Sequence, residues 1–328
     1  MRRLLAALLL LSLPAAAQPL PFSFVAFGDM PYCDPRDPVG CRTEVARVDA
    51  LVETINTASP AFTLFLGDTK SGNETCSDPI VVDRTLAWMG RFAGPLIYSV
   101  GDNEWTDCWQ QRSGAYDPLD RLRLIRERFF AAPRSLGQVP IPLARQADLD
   151  PLYRRYVENA RWQRNGVLFV SVHVPGSDNN RPIPPRGDAP PGAAEEYPAR
   201  NRANIAWIED AFALAAREGL RAVVFGIQAD MYYKDRCGRG AVEGFLDTRK
   251  ALEDGARKFD RPVLLLHGDS HFFLDDHPVP DLPNLRRIMV PGERDTRAVL
   301  IRVTPEAAEP FAPALIGAGD RPAQPGCG

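Results

Sequence analysis

The stretch Pro95-Leu-Ile-Tyr-Ser-Val-Gly-Asp102 is mostly apolar until it turns polar at a Gly-Asp pair. The same change occurs at Phe27-Gly28-Asp29, Leu66-Gly67-Asp68 and His267-Gly268-Asp269. Short apolar runs bounded by turn residues are typical of strands that are buried on both faces. Several strands that each end in Gly-Asp therefore predict an α/β sheet with acidic residues along one edge.

Similar runs elsewhere predict the remaining strands, and helical spacing predicts helices between them. The predicted strands are 23–27, 61–66, 95–100, 167–174, 222–227, 262–266, 288–290 and 297–303. The predicted helices are 43–57, with Thr43 as a possible N-cap, and 80–92, 117–130, 201–217 and 242–259. Two stretches, 131–151 and 175–198, are predicted as loops that either form part of a binding site or decorate the surface.

Residues 1–17 are typical of a secretory signal peptide, since Arg2 and Arg3 precede an apolar run and Ala15-Ala16-Ala17 offers a small-residue cleavage site. No other segment approaches the roughly 20 apolar residues of a membrane helix. The excess of arginine over lysine, with much Ala and Pro, indicates a GC-rich bacterial genome. We therefore expect a periplasmic or secreted bacterial protein with no membrane span.

After the signal peptide we expect a single domain over 18–305 and a Pro- and Ala-rich tail over 306–328, which frays unless Cys327 ties it down. The formal net charge is -3, and no basic stripe is present. This charge pattern argues against nucleic acid as a partner. The oligomeric state is not predicted by the sequence.

The chain has six cysteines: Cys33, Cys41, Cys76, Cys108, Cys237 and Cys327. An even number in an oxidising compartment predicts disulfides, and the absence of a CxxC pair makes a zinc-thiolate site improbable. Cys33 and Cys41 share one Pro- and Asp-rich loop, so we pair them. Cys76 and Cys108 each follow a Gly-Asp loop and can meet if their strands are neighbours, which leaves Cys237 for Cys327 by elimination. We expect these bridges to pin the loops around one site.

The four aspartates of the Gly-Asp pairs, Asp29, Asp68, Asp102 and Asp269, follow strands whose carboxyl ends line the ligand crevice of an α/β sheet. Clustered carboxylates repel one another unless a cation joins them. One Gly-Asp pair alone is more typical of a turn or a helix cap. Four of them at strand ends predict a metal site.

The motifs Gly28-Asp29-Met-Pro31, Gly67-Asp68-Thr-Lys70, Gly101-Asp102-Asn-Glu104 and Gly268-Asp269-Ser-His271, with a strand ending at Gln228 before the last, resemble the calcineurin-like metallophosphoesterase superfamily. The family pattern is DxH, GDxx, GN-H-E/D, a lone His after a strand, and GHxH. The resemblance covers about 250 residues and implies an α/β fold in which two mixed β-sheets lie between helices in four αββα layers. It also implies a divalent metal centre that hydrolyses phosphate esters.

Position by position, the resemblance places Asp29 as a first-metal ligand, Asp68 as the carboxylate that bridges two metals, and His271 as the closing histidine. Asp102 falls on the second-metal asparagine, unless the alignment slides by one residue and makes Asn103 the ligand. Without that slide, Asn103 stands where the family has its catalytic histidine, so we also expect it to contact substrate.

Three positions depart from the family pattern. Pro31 replaces the histidine of DxH, Asp269 the first histidine of GHxH, and Gln228 the lone histidine. The chain has only four histidines, so its predicted ligands are mostly oxygen atoms: Asp29, Asp68, Asp102, Gln228, Asp269 and, with nitrogen, His271. Oxygen ligands favour Mn²⁺, Mg²⁺ or Ca²⁺ over Zn²⁺, as one ion or two.

Other residues near these motifs are candidates for substrate binding or proton transfer. Lys70 could supply positive charge to a phosphate, or it could be a solvated loop lysine. Glu104, His173 and Asp230 could transfer protons or support the ligands, or they could simply form structural hydrogen bonds. Trp105 and Trp109 could line the site or pack in the core.

Two functions fit the sequence. The first is an exported metal-dependent phosphoesterase, in which Asn103, Glu104 and His173 are the candidate catalytic residues. Because asparagine cannot protonate a leaving group, this hypothesis predicts a slow enzyme or one that needs good leaving groups. The second is a non-catalytic relative that binds a ligand or a protein partner.

Overall fold

The computed structural model describes residues 19–182, 190–233, 238, 240 and 242–319. The predicted signal peptide, 1–17, and the predicted Cys237–Cys327 bridge lie outside the described residues. No helix within these ranges is both long enough and apolar enough to cross a bilayer.

Strands and helices alternate along most of the described chain. The strands are β1 (Phe22–Phe27), β2 (Thr63–Phe65), β3 (Leu96–Tyr98), β4 (Ala144–Arg145), β5 (Ala160–Arg164), β6 (Val167–Ser171), β7 (Ala222–Gly226), β8 (Val263–His267), β9 (Leu274–Asp276), β10 (Leu285–Met289), β11 (Ala298–Val303) and β12 (Phe311–Ile316). The helices are α1 (Pro38–Ala58), α2 (Thr85–Met89), α3 (Pro118–Phe129), α4 (Gln146–Leu149), α5 (Gly176–Asn179), α6 (Ala193–Arg217) and α7 (Leu246–Phe259). Of these, α5 is a distorted turn that contains residues with left-handed backbone angles.

The strands form two mixed sheets. In the first sheet, with the order β12-β11-β1-β2-β3, the strands β1, β2 and β3 are parallel, and β11 is antiparallel to both of its neighbours, β1 and β12. In the second, with the order β4-β5-β6-β7-β8-β10-β9, the strands β6, β7, β8 and β10 are parallel. Parallel strands end at the same edge of a sheet, so the loops after β1, β2, β3, β7 and β8 carry the Gly-Asp motifs and Gln228.

Three apolar cores hold the layers together. Between the sheets, side chains such as Phe24 and Leu64 pack with Phe169 and Val224. The outer face of the first sheet packs against α1 and α3, and the outer face of the second packs against α6 and α7. The predicted fold class, with two mixed sheets between helices, is therefore confirmed.

The start of α1 differs from the predicted N-cap. The helix begins at Pro38, and the carboxylate of Asp37 accepts a hydrogen bond from the Gly40 N–H. Proline suits the first helical position because its missing N–H would lack a partner there anyway. Thr43 lies inside the helix, where its hydroxyl donates to the Val39 carbonyl, so the assignment of Thr43 as N-cap was wrong.

Two segments are more regular than the sequence predicts. The predicted loop 175–198 ends early, because α6 begins at Ala193 and contains Pro198. The predicted tail after residue 305 is not without structure, because β12 pairs with β11 and buries Phe311. Pro313 is tolerated in β12 because that strand lies at the edge of its sheet.

Two of the predicted disulfides are present. Cys33 is bonded to Cys41, and Cys76 to Cys108. The second bridge joins the loop after β2 to the loop after β3, as expected for two neighbouring strands. The loops that carry two of the Gly-Asp motifs are thus held together covalently.

Candidate metal centre

Asp29, Asp68 and His271 meet at the carboxyl ends of β1, β2 and β8. One potential ligand atom from each lies within 4.8 Å of the other two. All three residues have positive φ values, of 55°, 60° and 62°, in a region that residues other than glycine rarely adopt. Such backbone strain is concentrated at functional sites, where the surrounding structure maintains it. The predicted first-metal ligands therefore form one preorganised cluster.

Asp29 is fully buried, and among the described residues its one ion-pair partner is His271. Its carboxylate accepts hydrogen bonds from the Asp269 N–H at 3.0 and 3.2 Å. Burial raises the pKa of Asp29 to about 7, although His271 and the Asp269 N–H act in the opposite direction. A carboxylate that is this costly to ionise is suited to a site that receives a cation.

Asp68 is buried at the centre of the cluster and accepts hydrogen bonds from two neighbouring side chains. The Tyr32 hydroxyl donates to its Oδ2 at 2.6 Å, and the Asn103 Nδ2 donates to the same oxygen at 2.8 Å. Burial raises the pKa of Asp68 well above its ordinary value, and the negative charges of Asp102 and Glu104 raise it further. The contact with Tyr32 was not foreseen from the sequence; the only signal is its place directly after Pro31.

His271 is partly exposed and lies between two carboxylates. Its Nε2 is 3.6 Å from Asp29 Oδ1, and its Nδ1 is 3.5 Å from Glu293 Oε2. Burial lowers the pKa of His271, but Glu293 and Asp29 outweigh burial and raise it to about 9. A carboxylate on the far nitrogen of a metal-binding histidine fixes its tautomer and orientation. Glu293 fits that supporting role, which the sequence analysis missed.

The second group of carboxylates meets beside Gly176. A methyl group at Gly176 would lie 2.8 Å from Asp102 Oδ2 and 2.9 Å from Asp269 Oδ1, so only glycine fits between them. The hydroxyl of Ser177 lies 2.6 Å from Asp102 Oδ2 and 2.8 Å from Asp107 Oδ1. A hydroxyl has one proton and cannot donate to two ionised carboxylates at once. A proton or a cation must therefore be shared in this group.

Asp107 and Ser177 were not predicted as site residues. Burial raises the pKa of Asp107 to about 7, and repulsion from Asp102 adds to the rise. Ser177 lies in a turn in which four consecutive residues have positive φ values, from Ser177 to Asn180. Thr106 and Arg200 donate hydrogen bonds to Asn180 Oδ1 and Asn179 Oδ1, respectively. These bonds hold the turn, and with it the Ser177 hydroxyl, in place.

Gln228 lies among the Gly-Asp loops, but its oxygen already has a partner. The Gly176 N–H donates to Gln228 Oε1, and the Nε2 has no hydrogen-bond partner within the described ranges. The side chain packs against Gly67, where an added methyl group would lie 2.7 Å from the Gln228 Cγ. The Gly176 bond occupies one of the two lone pairs of this amide oxygen, and the ligand role of Gln228 stays a prediction.

Glu104 holds two Gly-Asp loops together from inside the protein. Its Oε1 accepts hydrogen bonds from the Tyr98 hydroxyl at 2.6 Å, the Gly101 N–H at 2.9 Å and the Asp68 N–H at 3.1 Å. The residue is fully buried, and burial raises the pKa of its carboxyl. These contacts give Glu104 a positioning role, and its catalytic role stays a prediction.

Lys70 is also fully buried. Its Nζ donates to the carbonyl oxygens of Ser71 at 2.9 Å and Glu74 at 3.0 Å. Burial lowers the pKa of Lys70, while Glu104 and Glu74 counteract that change. The ammonium group thus supports the loop after β2. Lys70 has no exposed surface in this structure at which the predicted contact with a substrate could form.

His173 lies outside the cluster. It is 1% exposed, its Nδ1 is 2.9 Å from Glu158 Oε1, and its ring packs against Trp105. The predicted catalytic role of His173 therefore has no geometric support. Trp105 is fully buried and serves as packing, whereas Trp109 is partly exposed.

Asp230 supports the loop that carries Asp269. Its N–H donates to Asp269 Oδ2 at 2.9 Å, and its own carboxylate accepts a hydrogen bond from the Ser270 hydroxyl at 2.8 Å. Arg287, which is buried in β10, lies 3.3 Å from the same carboxylate. Asp230 is thus a supporting residue, one of the two roles expected from the sequence.

The donor set suits a hard divalent cation. It offers carboxylate oxygens and one imidazole, and the four cysteines that the structure describes, Cys33, Cys41, Cys76 and Cys108, are all in disulfides and offer no thiolate. Manganese, magnesium and calcium prefer such oxygen ligands. Bound positive charge would also offset the repulsion that raises the pKa values of Asp29 and Asp68.

Structural comparison finds solved structures with a similar fold. The fold is similar to that of a dimetal phosphatase from Danio rerio, with a TM-score of 0.56 and 10% sequence identity over 90% of this chain and 98% of that chain. Weaker matches are the sulfate thiohydrolase SoxB of Thermus thermophilus (TM-score 0.46, 13% identity) and a 5'-nucleotidase of Candida albicans (TM-score 0.43, 10% identity). They match 94% and 90% of this chain, which spans 58% and 51% of their lengths.

No protein-family model matches the sequence, and no significant match to a curated protein is found. At 10% identity, the likeness to the dimetal phosphatase shows the fold alone. The two-sheet fold that the motif resemblance implies is therefore confirmed, and membership of the superfamily stays a prediction.

Proposed function

We propose that this chain is a metal-dependent hydrolase of phosphate esters. The observation that carries the proposal is the convergence of Asp29, Asp68 and His271 within 4.8 Å at the strand ends of this fold. The three residues occupy the positions that the motif resemblance assigns to metal ligands. The second group, Asp102, Asp107 and Asp269, offers oxygen ligands for another ion beside the first.

Asp29, Asp68 and His271 would hold the divalent ion, which would supply Lewis-acid polarisation of a phosphoryl group and would favour a deprotonated water nucleophile. The chain itself positions the reactants. Glu104 fixes the backbone around Asp68 and Gly101, and Tyr32 and Asn103 hold the Asp68 carboxylate from the open side. Each ligand is thereby oriented before substrate arrives.

Asn103 has one consequence for the choice of substrate. Its amide can donate a hydrogen bond to a phosphoryl oxygen, but it cannot protonate a leaving group. With Glu104 and His173 both buried, no other predicted acid reaches the open side. We therefore infer a preference for esters with good leaving groups, such as aryl phosphates.

The alternative is a non-catalytic relative that binds a ligand or a partner. It is motivated by the absence of histidine at positions 31, 228 and 269. Against it stands the buried carboxylate cluster, because unpaired buried carboxylates cost stability and serve no purpose in an abandoned site. The cluster favours a working metal centre.

Export to the periplasm or the medium is part of the same proposal. It rests on the signal-like residues 1–17 and on the disulfides Cys33–Cys41 and Cys76–Cys108, which persist in oxidising compartments.

The direct test is hydrolysis of aryl phosphates by the purified protein lacking residues 1–17. We expect turnover of p-nitrophenyl phosphate that a chelator abolishes and that Mn²⁺ or Mg²⁺ restores better than Zn²⁺, because the ligands are mainly oxygen. Asp29→Asn should lose this activity. Asp254→Asn should keep it, because Asp254 is an exposed α7 residue paired with Lys250.

Absence of turnover of aryl mono- and diesters with each of Mg²⁺, Mn²⁺, Ca²⁺ and Zn²⁺ would refute a phosphoesterase. A metal-induced rise in the melting temperature without turnover would favour the ligand-binding alternative.

A further inference from the structure

Arg112 is an exposed arginine beside the candidate metal centre, in the loop after β3. Within the described part of the chain, no carboxylate forms a salt bridge with it. On the next helix, α3, Arg121, Arg123 and Arg126 each pair with an acidic side chain. The guanidinium of Arg112 is therefore available to an anion from solution.

The guanidinium of Arg112 lies close to the side-chain amide of Asn103. A methyl group at Gly72 would lie 3.1 Å from Asn103 Oδ1 and 3.9 Å from Arg112 Nη2. The amide of Asn103 and the guanidinium of Arg112 thus both lie next to Gly72. On its other side, Asn103 Nδ2 donates to the Tyr32 hydroxyl at 2.9 Å and to Asp68 at 2.8 Å. Arg112 lies on the Oδ1 side of the Asn103 amide and Tyr32 on its Nδ2 side, next to the Asp68 carboxylate.

The backbone that carries Arg112 is fixed although its side chain is exposed. The neighbouring Ser113 hydroxyl donates to the Gly72 carbonyl at 2.9 Å, and the Cys76 N–H donates to the Ser113 carbonyl at 2.9 Å. The Cys76–Cys108 disulfide ties the same two loops together. The base of the arginine side chain is thus held at a constant distance from Asn103.

A site built from carboxylates needs a positive charge to attract an anionic substrate. The guanidinium group presents paired N–H donors that match two phosphoryl oxygens, and it stays charged at every physiological pH. The other cation near the centre, Lys70, is buried against backbone carbonyls. Of the two, only Arg112 can meet a substrate at the opening.

We propose that Arg112 anchors the phosphoryl group of the substrate and makes the site selective for phosphate monoesters over diesters. A monoester carries two negative charges near neutral pH and three non-bridging oxygens, whereas a diester carries one charge and two non-bridging oxygens, so the monoester has more charge and one more oxygen to offer the guanidinium. This inference rests on the proposed phosphoesterase function.

The test compares Arg112→Ala and Arg112→Lys with Arg123→Ala, a matched control in which an exposed arginine of α3 is removed. Substrates are p-nitrophenyl phosphate and bis(p-nitrophenyl) phosphate, which share a leaving group. We expect Arg112→Ala to lower kcat/KM for the monoester by about 10- to 100-fold and for the diester by about 3-fold or less. Arg112→Lys should recover part of the loss, and Arg123→Ala should match the wild type.

A second measurement does not depend on turnover. Inorganic phosphate is titrated by calorimetry into the Mn²⁺-loaded wild type and the same variants. We expect Arg112→Ala to weaken phosphate binding by about tenfold or more, and Arg123→Ala to leave it unchanged. Unchanged melting temperatures will show that the exposed substitutions do not affect folding.

The outcomes separate this inference from the proposed function. If the wild type hydrolyses both esters and Arg112→Ala keeps the wild-type ratio of monoester to diester activity, the role of Arg112 is refuted while the function stands. If the wild type hydrolyses neither ester, the proposed function fails. In that case, weaker phosphate binding by Arg112→Ala would still support an anion anchor, and unchanged binding would refute it.

Discussion

Asp68→Ala is expected to abolish phosphate-ester hydrolysis, lowering kcat/KM by about 1,000-fold or more. The reason is that Asp68 lies at the centre of the cluster, within 4.8 Å of Asp29 and His271 and next to Asn103, which donates to it twice. Steady-state kinetics with p-nitrophenyl phosphate and saturating Mn²⁺ will measure the loss. The variant should also lose the rise in melting temperature that Mn²⁺ causes.

A second variant, Asp68→Asn, tests how the buried charge of Asp68 affects the stability of the metal-free protein. Without metal, Asp68 is a buried carboxyl whose pKa is raised by burial and by the charge of Asp102. Asp68→Asn should relieve this repulsion, but its NH2 group would face a donor that now bonds to the carboxylate. We therefore expect the free energy of unfolding of the metal-free protein to change by about 1 kcal/mol or less. The control is Asp254→Asn, with wild-type activity. Retention of both turnover and the Mn²⁺ effect in Asp68→Asn would contradict this role.

Glu104→Ala is expected to lower the free energy of unfolding by about 3–5 kcal/mol, because three buried donors lose one acceptor. Those donors are the Tyr98 hydroxyl and the N–H groups of Gly101 and Asp68. Urea unfolding of the metal-free protein, followed by circular dichroism, will measure the change.

The matched control is Glu104→Gln, which keeps a carbonyl oxygen in the place of Oε1. It should cost only about 1 kcal/mol, since the acceptor remains while the charge is lost. If the alanine and glutamine variants were equally stable, the hydrogen bonds to Oε1 would not hold the loops as described. A catalytic acid at this position would instead show full stability and lost activity in the glutamine variant.

Much of the fold could be predicted because its strands are buried on both faces. Runs such as 222–227 and 262–266 read as continuous apolar segments, and the structure has β7 and β8 there. Edge strands have no such signature. β12 contains Pro313 and alternates exposed and buried residues in a Pro- and Ala-rich setting, so its pairing with β11 could not be inferred from local composition.

The metal ligands could be predicted because each follows a strand in a short motif. Asp29 and Asp68 lie directly after β1 and β2, so the parallel pairing of those strands brings them together. The residues around them could not be predicted in this way. Ser177, Arg112 and Glu293 reach the centre from separate loops whose paths depend on tertiary contacts.

His173 illustrates the opposite case. It follows a strand and is one of four histidines, so the sequence made it a candidate catalytic residue, with structural hydrogen bonding as the alternative. In the fold, its nitrogen is 2.9 Å from Glu158, and its carbonyl oxygen accepts hydrogen bonds from Arg200 and Asn204. The buried partners that make it structural lie far from it along the chain.

The central claim, that the buried carboxylates hold a divalent cation, has a signature in the pH dependence of stability. Burial raises the pKa of Asp29 and of Asp107 from the ordinary value of 3.8 to about 7. Such groups contribute stability that is fully present below the unfolded pKa and is lost as pH rises through the folded pKa. The metal-free protein should therefore become less stable between pH 5 and pH 8.

The most direct measurement is the melting temperature of the protein in Mn²⁺ and in chelator, at pH 5 and at pH 8. We predict that at pH 8 Mn²⁺ raises the melting temperature by about 5 °C or more, and that the chelated protein melts lower at pH 8 than at pH 5. Equal melting temperatures with Mn²⁺ and chelator at pH 8, or a chelated protein that is more stable at pH 8, would contradict a cation held by Asp29, Asp68 and His271.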